Sequence, residues 1–357
     1  MSTIVLRDKI DYLNSLRGIA VLMVIFTHAG LYIQTSLLDS NTRSIIADAS
    51  RGVQLFYILS AFTLFYSIYS RKGADTRQWR DFFVRRLFRI APLWWLSIMA
   101  FIYIRSQYTF SWSAILSNVF FIHGFNPKYI NSIVVGGWSI AVEMNFYLLV
   151  PLFYKLCKDL NRTLISFTWI YVAMRLISFA MATANPGVST TIWAEYLFYY
   201  LPHQLPVFFF GFMLFHIIIR KDTKLSPVAI VHAAIFLLLC YSFSKDWFMG
   251  QCAMLFPLVW MVSKAPHVKL WNNKVLQYLG KISFGLYLVH FGAVLLVKES
   301  GVLAYITQPH LQFATGWLLV TALATGIATL TYRLVEKPCI ALGNKLIERL
   351  ESRKILY

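Results

Sequence analysis

Ten apolar stretches, each bounded by charge or by Pro and Gly clusters, dominate this chain of 357 residues. They fall at roughly 13–34, 52–70, 90–104, 138–157, 163–183, 195–219, 225–243, 247–263, 282–298 and 313–334. About 20 apolar residues cross a hydrocarbon core of roughly 30 Å, and no water-soluble core accommodates so many such runs. The composition agrees: 58% of residues are hydrophobic and 13% charged, against about 45–50% and 25% in soluble domains. The fold class expected is all-α integral membrane, with about ten transmembrane helices. An eleventh stretch, 112–123, is too short for a full crossing and fits a re-entrant or interfacial helix.

Charge then sets orientation. Lys and Arg number 33 against 15 Asp and Glu, a net +18, which taken alone points to nucleic acid. The basic residues, however, stand at the ends of apolar runs. With the N-terminus in the cytoplasm and ten alternating spans, 25 of them fall on the cytoplasmic side and 6 outside. That is the positive-inside pattern. Both termini are expected in the cytoplasm, with no nucleic-acid partner. A full crossing at 112–123 would break this pattern downstream. The run Gly18–Tyr32 follows Arg17 and lacks a small-x-small cleavage site, so a retained first span is expected. Cys157, Cys240, Cys252 and Cys339 form neither a zinc pattern nor a disulfide framework. They read as packing residues, and no metal is expected.

Ionisable groups inside lipid are expensive and point to function. Arg17 and His28, eleven positions apart, lie within about 20° of one helical face and about 16 Å apart along the axis. Their bland reading is a snorkelling Arg and a His bonded to a neighbouring helix. Arg85, Arg86 and Arg89 cluster at the cytoplasmic entrance to the third span, with Arg86 and Arg89 on one face. Guanidinium forks suit phosphate oxygens; attraction to anionic lipid is the plainer account, and for Arg71, Lys72, Arg77 and Arg80 it is the preferred one. Glu143 follows Trp138 and Ser139 about 9 Å below the outer edge. His28 comes to about 8 Å from that edge on the same arithmetic, so a carboxylate and an imidazole share one depth, an arrangement able to orient a base. Tyr287 and His290 share a face near mid-membrane, where a helix-packing hydrogen bond is the first expectation. Pro202, Pro206 and Gly211, with His203 and Gln204 between, point to a broken sixth span. Glu336 is expected to pair with Arg333 or Arg17.

Together these residues resemble the acyltransferase 3 family of integral-membrane O-acyltransferases, from Leu13 to Pro338. Arg17 and His28 fit the family's Arg-x10-His, and Arg86 and Arg89 its RxxR. Trp138, Ser139, Glu143, Phe146 and Tyr147 fit Trp-Ser-x-x-x-Glu-x-x-Phe-Tyr. Ile282, Ser283, Leu286, Tyr287 and His290, then Glu336-Lys337-Pro338, complete the series. Gln54 stands where family members often carry Asp, and Met144-Asn145 replaces the usual Glu-Gln. The resemblance is to the stand-alone form, so no fused esterase-like domain is expected. The resemblance implies an acyltransferase 3 transmembrane domain over 1–340 and a basic cytoplasmic tail over 341–357.

What the resemblance implies for function is a bacterial inner-membrane enzyme. It would move acetyl, or in second place succinyl, from cytosolic acyl-CoA to a hydroxyl of a surface or periplasmic glycan or lipid-linked glycan. His28 would be the base or acyl carrier, Glu143 its orienting group, and Arg17 a stabiliser of donor charge. Arg86, Arg89 and Arg85 would hold acetyl-CoA phosphates. Trp138, Ser139, Gln54, Tyr287 and His290 would meet the acceptor. Membrane lipid is a further partner, and a homo-oligomer is compatible with the sequence. The rival readings are a transporter of a glycan, lipid-linked sugar or organic acid, and an assembly subunit without activity.

Overall fold

The computed structural model describes residues 3–32, 38–71, 77–184, 187–242 and 247–352. Lys72, Lys245, Arg353 and Lys354 of the charge count, and so the end of the basic tail, lie outside the described residues. Among the described residues the chain is helical and contains no strand. In order, the helices are α1 Thr3–Tyr32, α2 Ser40–Asp48, α3 Gly52–Ser70, α4 Arg77–Ile104, α5 Trp112–Val119, α6 Trp138–Leu156, α7 Leu160–Ala182 and α8 Thr190–Tyr199. They continue as α9 Leu201–Phe215, α10 Pro227–Ser242, α11 Trp247–Lys264, α12 Lys274–Lys281, α13 Ser283–Glu299, α14 Pro309–Thr331 and α15 Lys337–Ser352.

Local sequence explains several starts. Side chains of Asp39, Ser111, Asp159 and Asn273 accept from backbone N–H groups in the first turns of α2, α5, α7 and α12, donors that have no intrahelical partner. Within the described residues each of the ten apolar stretches is largely helical, the stretch 195–219 being divided between α8 and α9. Six helical stretches are long and apolar enough to cross a membrane: Asp11–Gly30, Ser40–Ser70, Gln78–Ile104, Leu160–Ala182, Thr190–Arg220 and Pro309–Ser352. α12 and α13, bent by 81°, form a seventh if taken as one span. The difference from ten has a physical basis. α10 and α11 supply only the shorter apolar helices Pro227–Tyr241 and Phe248–Lys264, and the continuous α6 carries the polar Glu143 and Asn145 within its apolar run. The stretch at 112–123 becomes the eight-residue α5, about 12 Å long, with a turn at His123–Phe125 behind it.

The helices group into two compact units. The first comprises Met1–Val53, Ala74–Ala100 and Pro266–Tyr357, with α1 at its centre against α2, α12, α13 and α14. Two glycines fix how closely α1 and α12 approach. A Cβ on Gly18 would stand 2.3 Å from the Leu276 carbonyl oxygen, and one on Gly280 only 1.7 Å from that of Asn14. α14 runs through a π-helical turn, Tyr332–Glu336, into α15.

The second unit comprises Gln54–Gly73 and Phe101–Ala265. Its core is α9, where every residue from Gln204 to Phe215 is buried, set against α6, α7 and α11. Phe208 stacks on Phe146 at 3.7 Å between ring centres, and Phe212 on Phe65 at 3.9 Å. The expected break in the sixth span lies between α8 and α9 at Tyr200, with Pro202 at the start of α9, where a missing N–H is harmless.

Gly280→Ala is expected to destabilise the detergent-purified chain by about 1–3 kcal/mol, the usual result of overpacking. Gly292→Ala, with nothing within 4 Å of its new methyl, serves as the control. Thermal unfolding followed by tryptophan fluorescence reads the difference, and equal melting of the two variants would contradict the close helix contact.

Candidate functional site

In the first unit, the packing of α13 on α1 brings two histidines together that are 262 residues apart in the chain. His28 Nδ1 lies 2.9 Å from the Val24 carbonyl oxygen and 3.1 Å from His290 Nε2. His290 Nδ1 lies 2.5 Å from the Tyr287 carbonyl oxygen. Carbonyl oxygens only accept, so each of these Nδ1 atoms carries the hydrogen in the neutral rings. His290 donates to Tyr287 and presents a lone pair at Nε2. His28 shares its Nδ1–H between that lone pair and the Val24 carbonyl. Its own lone pair is then on Nε2, an atom with no hydrogen-bond partner among the described residues.

His290 is fully buried, whereas His28 is partly accessible. Phe291 packs on both rings, at 4.3 Å from His28 and 4.2 Å from His290. Phe26, two residues before His28, meets Phe313 and Trp317 edge-on. The expected packing bond of His290 thus resolves into a contact with the first-span histidine, while Tyr287 contributes its backbone carbonyl.

Arg85, Arg86 and Arg89 sit on α4, each partly exposed. The Arg86 guanidinium lies over the Phe82 ring, 5.8 Å from its centre, a cation–π arrangement. Glu336, buried in the π-helical turn, has one carboxylate oxygen without a hydrogen-bond partner. A Cβ on Gly285 would come within 2.9 Å of that oxygen. Among the described residues no hydrogen bond or ion pair joins Glu336 to the expected Arg333 or Arg17. Arg17 donates instead to Asn14 Oδ1 at 3.5 Å.

In the second unit, Glu143 on α6 accepts from the Ser60 hydroxyl at 2.8 Å and from the Tyr147 hydroxyl at 2.5 Å. Both fall on Oε1, so Oε2 has no donor among the described residues. Gln54, on α3, donates to Gln204 Oε1 at 3.0 Å, and Gln204 in turn donates to the Phe198 carbonyl at 2.7 Å. Gln204 therefore satisfies a carbonyl freed by the break between α8 and α9. The Gln54 side-chain oxygen Oε1 is buried without a partner. Trp138 stacks on Tyr199 at 4.5 Å, and the Ser139 carbonyl accepts from the Tyr57 hydroxyl at 3.4 Å. Asn145 donates to the Phe121 carbonyl; Phe121 itself adopts φ 62°.

The sequence alone assigns no role to Ser60, Gln204 or His123. The three-residue spacing of Gln54, Tyr57 and Ser60 along one apolar helix was a signal for the first, since such neighbours line adjacent positions. His123, fully buried, donates to the Gly137 carbonyl at 3.1 Å, just ahead of Trp138. Its isolation in the sequence offers no such signal.

Helical spans with buried polar groups facing one another across helices are the hallmark of a multi-pass membrane protein with an internal site. The chain matches the acyltransferase domain family over residues 10–333 and belongs to that family. It is a membrane acyltransferase. Among its relatives, Acyltransferase MdmB of Streptomyces mycarofaciens is 25% identical over 94% of this chain and 92% of its own length. Peptidoglycan O-acetyltransferase OatA of Listeria monocytogenes is 22% identical over 93% of this chain and 56% of its own. Putative acetyltransferase ORF330 of Acidianus two-tailed virus is 26% identical over 84% and 87%. No solved structure matches the chain.

Gln204→Leu removes both the acceptor of Gln54 and the donor to Phe198. Leaving buried polar groups unsatisfied costs about 1–3 kcal/mol, so a lower melting temperature in detergent is expected. Melting at the wild-type temperature would show that this bridge contributes nothing.

Proposed function

We propose that this acyltransferase moves acetyl from cytosolic acetyl-CoA to a hydroxyl of a surface or periplasmic glycan, working in the bacterial inner membrane with both termini in the cytoplasm. Membership of the acyltransferase family supports the reaction class. The relative named for peptidoglycan O-acetylation supports a glycan acceptor. The charge asymmetry of the loops supports the orientation.

The observation that carries the reading is the unengaged Nε2 of His28. A neutral imidazole whose Nδ1–H is already committed keeps its lone pair on the other nitrogen, which is what a general base requires. In the proposed reaction the acceptor hydroxyl gives its proton to His28 Nε2 as its oxygen attacks the thioester carbonyl. The C–S bond then breaks, and the departing CoA thiolate takes that proton back. The products are the acetyl ester and CoA thiol, and His28 is again neutral.

Arg86, Arg89 and Arg85 would hold donor phosphates by charge-assisted bonds. The acyl-pantetheine arm would follow α1 from the level of Arg17, which stabilises donor charge, toward His28, about 16 Å along the axis. Trp138, Ser139 and Gln54 belong to the acceptor side of the proposal, and Glu143, the orienting group that the resemblance implies, keeps Oε2 open.

Cells expressing His28→Ala are expected to lose glycan acetylation by at least about 100-fold, the lower range for a general base. Mass spectrometry of the glycan at matched protein abundance checks this, and wild-type acetylation would end the base role. Arg86→Ala combined with Arg89→Ala is expected to raise the KM for acetyl-CoA roughly 10- to 100-fold, the worth of one or two bonds to charged groups. Steady-state kinetics on purified protein reads it, and an unchanged KM would move the donor phosphates elsewhere.

A further inference from the structure

We infer that His290 is a positioning residue for His28: it accepts the His28 Nδ1–H, fixes the ring with Nε2 free, and shares the charge when His28 is protonated. This role rests on the reading of His28 as the base, and it replaces the sequence expectation that His290 meets the acceptor. Three distances carry it, namely 2.9 Å from His28 Nδ1 to Val24, 3.1 Å from His28 Nδ1 to His290 Nε2, and 2.5 Å from His290 Nδ1 to Tyr287. The two carbonyls fix the two tautomers independently, and the two results are compatible. Were either neutral ring in the other tautomer, a ring lone pair would face a carbonyl oxygen and the chain of donors would fail.

The consequence is directional. The Tyr287 carbonyl holds His290 Nδ1–H, so His290 Nε2 points its lone pair back at His28. When His28 Nε2 gains a proton, the positive charge on Nδ1–H meets that lone pair in a dry setting, where such a bond is strong. A second proton on His290 would set N–H against N–H across 3.1 Å. The pair therefore takes up one added proton at a time and titrates as a unit.

Neighbouring groups leave this assignment to the two rings. Of the elements packed on α13 in the first unit, α1 presents His28. α14 carries His310 alone among Asp, Glu, His, Lys and Arg, and His310 is paired with Asp39 at 3.5 Å. On α12, Lys274, Tyr278 and Lys281 all precede the bend, and the Tyr278 hydroxyl is bonded to Thr329. Glu336 faces Gly285, about a turn and a half before His290. On α13 itself, the Tyr287 ring is centred 5.5 Å from that of His290, Lys298 and Glu299 are exposed at the far end, and the next turn offers Tyr305, exposed to solvent.

The test is nitrogen NMR of the full chain in lipid nanodiscs, with 15N-labelled histidine. His28 and His290 are assigned by the signals lost in His28→Ala and His290→Leu. At alkaline pH both rings are expected to be protonated at Nδ1. In His290→Leu the His28 titration midpoint is expected to fall by about one pH unit, the tenfold effect of losing a bond to a charged group. In His290→Gln, whose amide oxygen still accepts, at least half of that shift is expected to be recovered. An Nε2-protonated His28 in the wild type, or an unmoved midpoint in His290→Leu, overturns the role. Should the leucine variant fail to fold, the wild-type tautomers alone decide. Loss of the base reading is a separate result: wild-type glycan acetylation by His28→Ala would remove that reading while leaving these tautomers as they are.

Discussion

A polar side chain inside an apolar helical bundle has no water to turn to, and this constraint governs the arrangement of both units. Three sets of polar groups deep in the described helices are answered by another side chain from a neighbouring helix or by a backbone carbonyl. His28 meets His290 and Val24, Glu143 meets Ser60 and Tyr147, and Gln54 meets Gln204. In each set one atom has no partner among the described residues: Nε2 of His28, Oε2 of Glu143 and Oε1 of Gln54. Groups left open in otherwise satisfied networks are where a substrate can be recognised.

The close packing around these networks is built from two materials. In the first unit, glycines let backbones touch: Gly18 and Gly280 bring α1 and α12 together where any side chain would collide with a carbonyl. This sets the rotation and height of α1, and with it the direction in which His28 points. In the second unit, stacked phenylalanines fill the space around α9, so Gln204 stands at the end of a dry, rigid column. A rigid surround keeps the few polar atoms in one geometry, which a site built from hydrogen-bond direction needs.

Membership of the acyltransferase family covers nearly the whole chain, although the relatives are only 22–26% identical. At that divergence the departures become informative. Gln54, in place of an acidic residue often found in the family, is neutral and buried against a second glutamine. Asn145, in place of the usual glutamine, reaches the Phe121 carbonyl, where the backbone takes a left-handed turn. Both replacements have a structural partner close by, so the fold absorbs them.

Much of this was legible in the chain itself, because hydropathy and helical period are local properties. Within the described residues the ten apolar stretches are largely helical, the short one at 112–123 stays short, and the break near Pro202 falls where a proline starts a helix. His28, Glu143 and His290 stood out because a polar residue in an apolar run is conspicuous without any fold. The pairings were not legible. Nothing near His28 in sequence names a histidine 262 residues away. Ser60, Gln204 and His123 are ordinary residues until a neighbouring helix gives them a partner. Sequence determined which segments are helical and which of them carry chemistry, since both follow from composition along a few turns. Only tertiary structure decided which polar atoms meet, because that depends on helix rotation and approach, fixed by contacts such as Gly280 on Asn14 between segments far apart in the chain.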